Sequence, residues 1–271
     1  MRLINRKPGR VLAAFLLLLP FAAVLIAYAV GSDIRRAENP QDKLLPAPTQ
    51  IVETAGRLLT EPDRRSGEIL FWNDTVVSLG RLAQGVGIAA ALGLGFGLAI
   101  GLLPFARATL APFVDVASMI PPLAVLPILF ITFGLGETSK VALIAIGVTP
   151  FLIRDLSQRV LEIPTEQMVK AQTLGASSLV VALRVAAPQI LPRLLQAVRL
   201  SLGPAWLFLI AAEAIASDSG LGYRIFLVRR YLAMDVILVY VVWITALAFL
   251  IDWGLRKLTD RAFPWFGEGA R

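Results

Sequence analysis

Val11–Val30 runs twenty residues without a charge, and Gly85–Leu103 runs nineteen. A helix needs about 20 apolar residues to cross the hydrocarbon of a bilayer. Two such runs in one chain therefore call for a membrane architecture. Four more segments read as spans: Leu110–Phe133, Thr138–Ile153 (the shortest), about Leu194 to Ala216, and Met234 to about Trp253. The fold class read from these runs is all-α, a polytopic membrane protein with about six transmembrane helices.

Composition agrees: 57% of residues are hydrophobic and the mean hydropathy is +0.73, beyond an ordinary soluble domain. The chain has no Cys and no His. That removes disulfides, thiol nucleophiles, thiolate or imidazole metal sites and the usual general base, so no catalytic residue, metal or cofactor is expected. The formal charge of +7 would suit nucleic acid, but the basic residues flank apolar spans, where the positive-inside rule accounts for them. Ala27-Tyr28-Ala29 looks like a signal cleavage site. The preceding apolar run exceeds the ~7–15 residues of a signal core, so a retained first span is expected.

The chain then divides into a cytoplasmic N-terminus (1–10), a first span (11–30), an extracytoplasmic loop with a short helix (31–74), a core of spans (75–255) and a cytoplasmic tail (256–271). Thr49 is the expected cap of the short helix over Gln50–Thr60. An even number of spans puts both termini on one side. With that side cytoplasmic, fifteen Lys and Arg lie inside and ten outside, with Arg81 unassigned.

Gly93, Gly97 and Gly101 recur every fourth position on the second span, where another backbone can approach closely. Gly85-Val86-Gly87-Ile88-Ala89-Ala90 fits a loose dinucleotide fingerprint, but it lies inside the apolar run with no strand before it. No phosphate loop ending in Gly-Lys-Ser/Thr exists, so ATP is not bound by that route. Pro121-Pro122 must kink or break the third span, and broken helices are tolerated at membrane depth where they line a cavity or are buried in protein. Asp115 and Glu213 are ionisable groups in or near spans, where such groups are usually functional or paired. Asp115, Pro121, Pro122 and Glu213 are thus candidates for a translocation path or gate, against the plainer reading of solvated carboxylates. Leu221–Tyr231, with Tyr223, Phe226 and Tyr231 beside Arg224, Arg229 and Arg230, suits an interfacial helix. Trp72, Trp243, Trp253 and Trp265 suit aromatic belts.

Residues 154–193 read as a polar-flanked loop of two short helices. Pro164-Thr165 opens the first, and Met168, Ala171 and Leu174 share a face, with Lys170 at its rim. Gly175-Ala176 makes the turn, for which Gly175 supplies a left-handed conformation. Ser177 caps a second helix through Leu179, Val180, Leu183 and Ala186, expected to stop at Pro188. Apolar faces outside the membrane mark interaction sites.

Gln167–Pro188, with Gly175 and Pro188 in register, resembles the "EAA" coupling loop of ABC importer permeases. FVDVASMIPPLAVLPILFITFGLGETSKVALIAIG (Phe113–Gly147) and AAEAIASDSGLGYRI (Ala211–Ile225) look like the nitrate/sulfonate/taurine/bicarbonate branch of that family. The resemblance implies the type I importer permease fold and a multi-pass subunit of the bacterial inner membrane. It also implies pairing with a second permease, most simply as a homodimer, two ATP-binding cassette ATPases docked at the loop, and an extracytoplasmic solute-binding protein. Alternating access driven by the partner ATPase follows from the same resemblance, with a small anion or small nitrogen or sulfur compound as solute. The alternative is a stand-alone secondary transporter or channel, which would call for internal repeats and charged midplane sites. Neither is seen.

Overall fold

The computed structural model describes residues 8–39, 42–63 and 66–267. Most of the expected N-terminal segment and the last residues of the expected tail lie outside them. Among the described residues there is no strand. The helices are α1 (Arg10–Glu38), α2 (Pro48–Thr60), α3 (Leu70–Leu102), α4 (Pro104–Ala117), α5 (Pro122–Phe133), α6 (Glu137–Leu161), α7 (Thr165–Thr173), α8 (Ser178–Val181), α9 (Ala187–Ile215), α10 (Leu221–Arg229), α11 (Met234–Ala262) and α12 (Pro264–Gly267). A π turn, Ala182–Ala186, joins α8 to α9.

Contacts divide the chain into two units. The first is Met1–Glu61 with Val228–Tyr240, and the second is Pro62–Leu227 with Val241–Arg271. Sequence blocks alone do not anticipate that Val228–Tyr240 groups with the N-terminal residues. A long-range bond is part of the reason: the Thr54 hydroxyl, buried on α2, donates to Asp235 Oδ2 at 2.8 Å. In the same unit Ser32, fully buried at the end of α1, donates to the carbonyls of Leu45 and Pro46, and the Tyr28 hydroxyl also reaches Pro46 O. The returning segment is thereby fixed along α1. Thr49 is not the cap of α2: the helix starts at Pro48, whose missing N–H is tolerated in a first turn, and Gln50 Oε1 accepts from Ala47 N at 3.0 Å.

In the second unit the main interface is α3 against α6. A Cβ on Gly85, Gly93 or Gly97 would lie 2.6–2.8 Å from Cβ of Ile144, Leu152 or Leu156, and one on Gly101 would come closer still to Val160. Each glycine faces the residue fifty-nine positions on (85 with 144, 93 with 152, 97 with 156, 101 with 160). A constant offset means that the two helices run in the same direction. The intervening α4 and α5, bent by 94° across Ser118–Pro121, must therefore carry the chain back across the layer. With α1, α3, α6, the continuous Ser178–Ile215 helix and α11, that gives up to six segments among the described residues long and apolar enough to cross a membrane. α6 runs to Leu161, so the span read as Thr138–Ile153 is longer than its apolar run. Its charged last turns are held by Arg159, which pairs with Asp155 and Glu162.

Pro188 does not stop the second loop helix. It falls in the first turn of α9, after the π turn, in which Ala187 N bonds Ala182 O. The widened turn accommodates the proline, whose ring would crowd a regular α-helical ladder. At the far end of α3, Arg107 donates to the carbonyls of Ile100 and Gly101, satisfying acceptors that a helix end leaves open.

Candidate functional site

The loop between α6 and α9 is built as a presented turn. Gly175 has φ +83°, Gly175 N bonds Gln172 O at 2.9 Å, and Ala176 N bonds Ala171 O at 3.0 Å. This is the Schellman arrangement, in which a left-handed residue just past a helix satisfies its last carbonyls. Pro164 occupies the flanking position of α7 and Thr165 its first helical turn, without a side-chain cap. Ser177 does cap the next helix, its hydroxyl oxygen accepting from Val180 N. The expected face is split. Met168, Ala171 and Ala176 are half-buried, whereas Val169, Lys170 and Gly175 are exposed and Leu174 is 88% exposed. Leu179 and Leu183 are exposed as well. Met168 instead helps to line a groove against the end of α3, beside Leu98 and Leu102.

At the bend between α4 and α5, Pro121 flanks α5 and Pro122 opens it. Asp115 pairs with Arg154 at 3.1 Å, and Arg154 also donates to Ser118 Oγ at 2.9 Å, with both charged side chains about half exposed. Ser118, Pro122 and Arg154 border a cavity of about 710 Å³ between the bend and α6, lined also by Gly147 and Pro150, while Asp115 borders a smaller one of about 230 Å³ that shares Arg154. Asp115 is therefore a solvated, paired carboxylate beside an open cavity.

Glu213 lies elsewhere. It is fully buried, which overturns its reading as a solvated end-of-span carboxylate. Glu213 Oε1 accepts from Ser78 Oγ and Arg81 Nη1 at 2.7 Å each, and Oε2 accepts from Gly222 N at 2.8 Å. Arg81, 4% exposed, also grips Glu137 through Nε and Nη2 at 2.5 and 2.6 Å and donates to Ser219 O. Lys140 adds to Glu137, while Asp74 holds Gly220 N and Arg224. Three cations and three carboxylates thus close on one another where α3, α6, α9 and α10 meet. Arg224 is consequently no part of a free interfacial surface. Gly220 (φ +121°) and Gly222 are required here: a Cβ on the first would lie 2.5 Å from the Glu213 carboxylate, and on the second 2.7 Å from Ile210 O. Beside this clasp Trp243 packs on Phe71 and Trp72 and donates to Thr75 Oγ1 at 3.0 Å, so it is an interior contact and not a belt residue.

The structure thus separates Glu213 from Asp115, Pro121 and Pro122. Their partners on α6, Glu137 beside Arg81 and Arg154 beside Asp115, stand seventeen residues apart, about 25 Å along the helix. Sequence reasoning missed Asp74, Ser78, Arg81, Glu137 and Lys140. Asp74, Ser78 and Arg81, at spacings four and three, share a helical face, and that was the available signal. Among the described residues no cluster of acidic side chains could hold a metal ion.

Residues 91–263 match the family model described as the binding-protein-dependent transport system inner membrane component. The taurine transport system permease protein of Escherichia coli is 36% identical over 225 residues, which are 83% of this chain and 81% of that protein. The bicarbonate transport system permease protein of Synechococcus elongatus is 33% identical over 77% of each chain. The putative aliphatic sulfonates transport permease protein of Bacillus subtilis is 29% identical over 97% of this chain and 92% of that one. Among solved structures, an inward-facing form of the MetNI methionine ABC transporter superposes with a TM-score of 0.63 at 21% identity, over 71% of this chain and 95% of that chain.

Proposed function

Because the chain belongs to the family of inner membrane components of binding-protein-dependent transport systems, we propose that it is the permease of an importer driven by a partner ATPase that docks at the α7–Gly175–α8 loop. In this reading a pair of such permeases, most simply two copies, binds two ATPases on the cytoplasmic side. A solute-binding protein delivers its cargo on the other side of a bacterial plasma membrane. Residues 154–193 and both termini face the cytoplasm, supported by an even number of spans and five basic residues in that segment.

One observation carries the docking site: Leu174, Leu179 and Leu183 stand 88%, 67% and 59% exposed on a loop whose turn is closed by Schellman hydrogen bonds. Apolar side chains presented this way outside the bilayer favour a protein partner. Motion of the docked loop passes into α6 and α9, which reorient around the cavity at the Asp115–Pro122 bend. The solute is a small compound bearing an oxyanion, a class supported by the taurine, sulfonate and bicarbonate systems among the relatives. The test is ATP-dependent uptake of labelled taurine, an alkanesulfonate and bicarbonate into proteoliposomes holding the chain and its ATPase, with capture of the ATPase measured in parallel. Leu174→Asp abolishes capture by burying an unpaired charge, and Lys170→Ala weakens it slightly and only at low salt. Uptake that proceeds without the ATPase would sink the reading.

A further inference from the structure

A second cavity, of about 590 Å³, opens where the last turn of α6, the start of α9, the end of α11 and α12 come together. Four arginines line it: Arg159, Arg193, Arg199 and Arg256. Its volume is within the range of small-molecule sites, and it shares only Arg159 and Glu162 with the cavity beside the Asp115–Pro122 bend.

Three of the four arginines are served by carboxylates. Arg159 is paired with Asp155 and Glu162, and Arg199 and Arg256 share Asp252. Arg193 is not. Its Nη1 reaches only the Gln196 side-chain oxygen, at 3.5 Å, and its guanidinium lies over the Phe266 ring, 4.6 Å from the centroid. Stacking occupies the face of a guanidinium and leaves its in-plane N–H fork to bind an acceptor. Asp260, also on the wall, is exposed and makes no ion pair among the described residues. The cavity thus carries more N–H donors than acceptors, which is the condition that recruits an acceptor-rich, donor-poor guest.

We propose that this cavity is a binding site for an oxyanion of the phosphate or sulfonate class, with Arg193 as its principal ligand. Arg159 precedes the coupling loop and Arg193 follows it, so a bound anion ties both stems of the loop to α11 and α12. If the loop receives the ATPase as proposed above, occupancy restrains that motion and makes transport sensitive to anion on the loop side. The binding itself does not rest on that reading.

The same chemistry is offered by a free anion and by a phospholipid headgroup, and two arms of one experiment separate them. Purified full-length chain is held in a maltoside detergent, which carries no phosphate. Its melting temperature is followed against inorganic sulfate, with ionic strength balanced by chloride. The second arm adds short-chain phosphatidylglycerol in place of sulfate. A free-anion site gives a saturable rise with sulfate, and a headgroup site gives the rise with the lipid and little further with sulfate. Either supports the proposal, provided that Arg193→Ala raises the half-saturating concentration about tenfold or more. Asp260→Asn lowers that concentration, and Arg193→Lys, which keeps charge but loses the fork, falls between wild type and Arg193→Ala. Arg193→Lys also stands in if the alanine variant does not fold. The proposal is overturned if neither sulfate nor lipid stabilises the wild type, or if the Arg193 variants respond as it does.

Discussion

The two ends of the core are fastened by opposite means. At the Glu213 end the central ion pair is dry: Glu213 and Arg81 are excluded from solvent and make nearly all the bonds they can, and only their outer partner Glu137 reaches water. At the Asp115 end, the pair with Arg154 is half exposed, beside a cavity, and the neighbouring loop presents apolar side chains to solvent. Breaking a dry pair strands a buried charge, whereas a wet pair exchanges with water and salt. The difference assigns rigidity to one end and freedom to the other.

The sharpest way to break that contrast is Arg81→Ala. It strands Glu213 and is expected to cost about 3–5 kcal/mol, seen as a large fall in melting temperature in detergent. Adding Glu213→Gln should return much of the loss. If the single variant melts like wild type, the clasp is not what fixes that end. Gly97→Leu comes next, because its Cβ would already lie 2.8 Å from Leu156 Cβ; overpacking should cost about 1–3 kcal/mol or more and loosen α3 from α6. An unchanged melting point would place the glycine stripe away from α6. Gly175→Val forces a β-branched residue to φ +83°, a strain of about 1–3 kcal/mol confined to the loop. The chain should still insert and melt close to wild type, while ATP-driven uptake falls; normal uptake would remove the loop from coupling. Smallest is Asp115→Asn, about 0–1 kcal/mol. A shift as large as that of Arg81→Ala would show that the two ends are not different in kind.

The spans were legible because a bilayer leaves a blunt record: uncharged runs near twenty residues, and prolines where a span must break. The glycine stripe was legible too, since spacing four puts Gly93, Gly97 and Gly101 on one face. Helix ends were not. Residues 70–74 read as loop because Asn73 and Asp74 are polar, yet they open α3, and their polarity serves the clasp. The same rule hid Glu213: a carboxylate near a span end looks solvated until its partners, over 130 positions earlier at Ser78 and Arg81, are seen. Pro188 misled for a local reason, because the π turn that accommodates it leaves no composition signal. The turn at Gly175 was readable since only positive φ ends a helix in that way.

The π turn has a mechanical corollary. Because it lets the chain pass Pro188 without a break, Ser178–Ile215 is one helix of 38 residues, about 57 Å long. One end joins the loop and the other is clamped through Glu213. Between those ends Ile190, Leu194, Ala197, Leu202 and Leu209 are buried along it, and it packs on α6 and α3, so it cannot shift without carrying its neighbours with it. In the reading proposed above, a push at Gly175 would therefore reach the far side of the membrane through one continuous helix and the body packed on it.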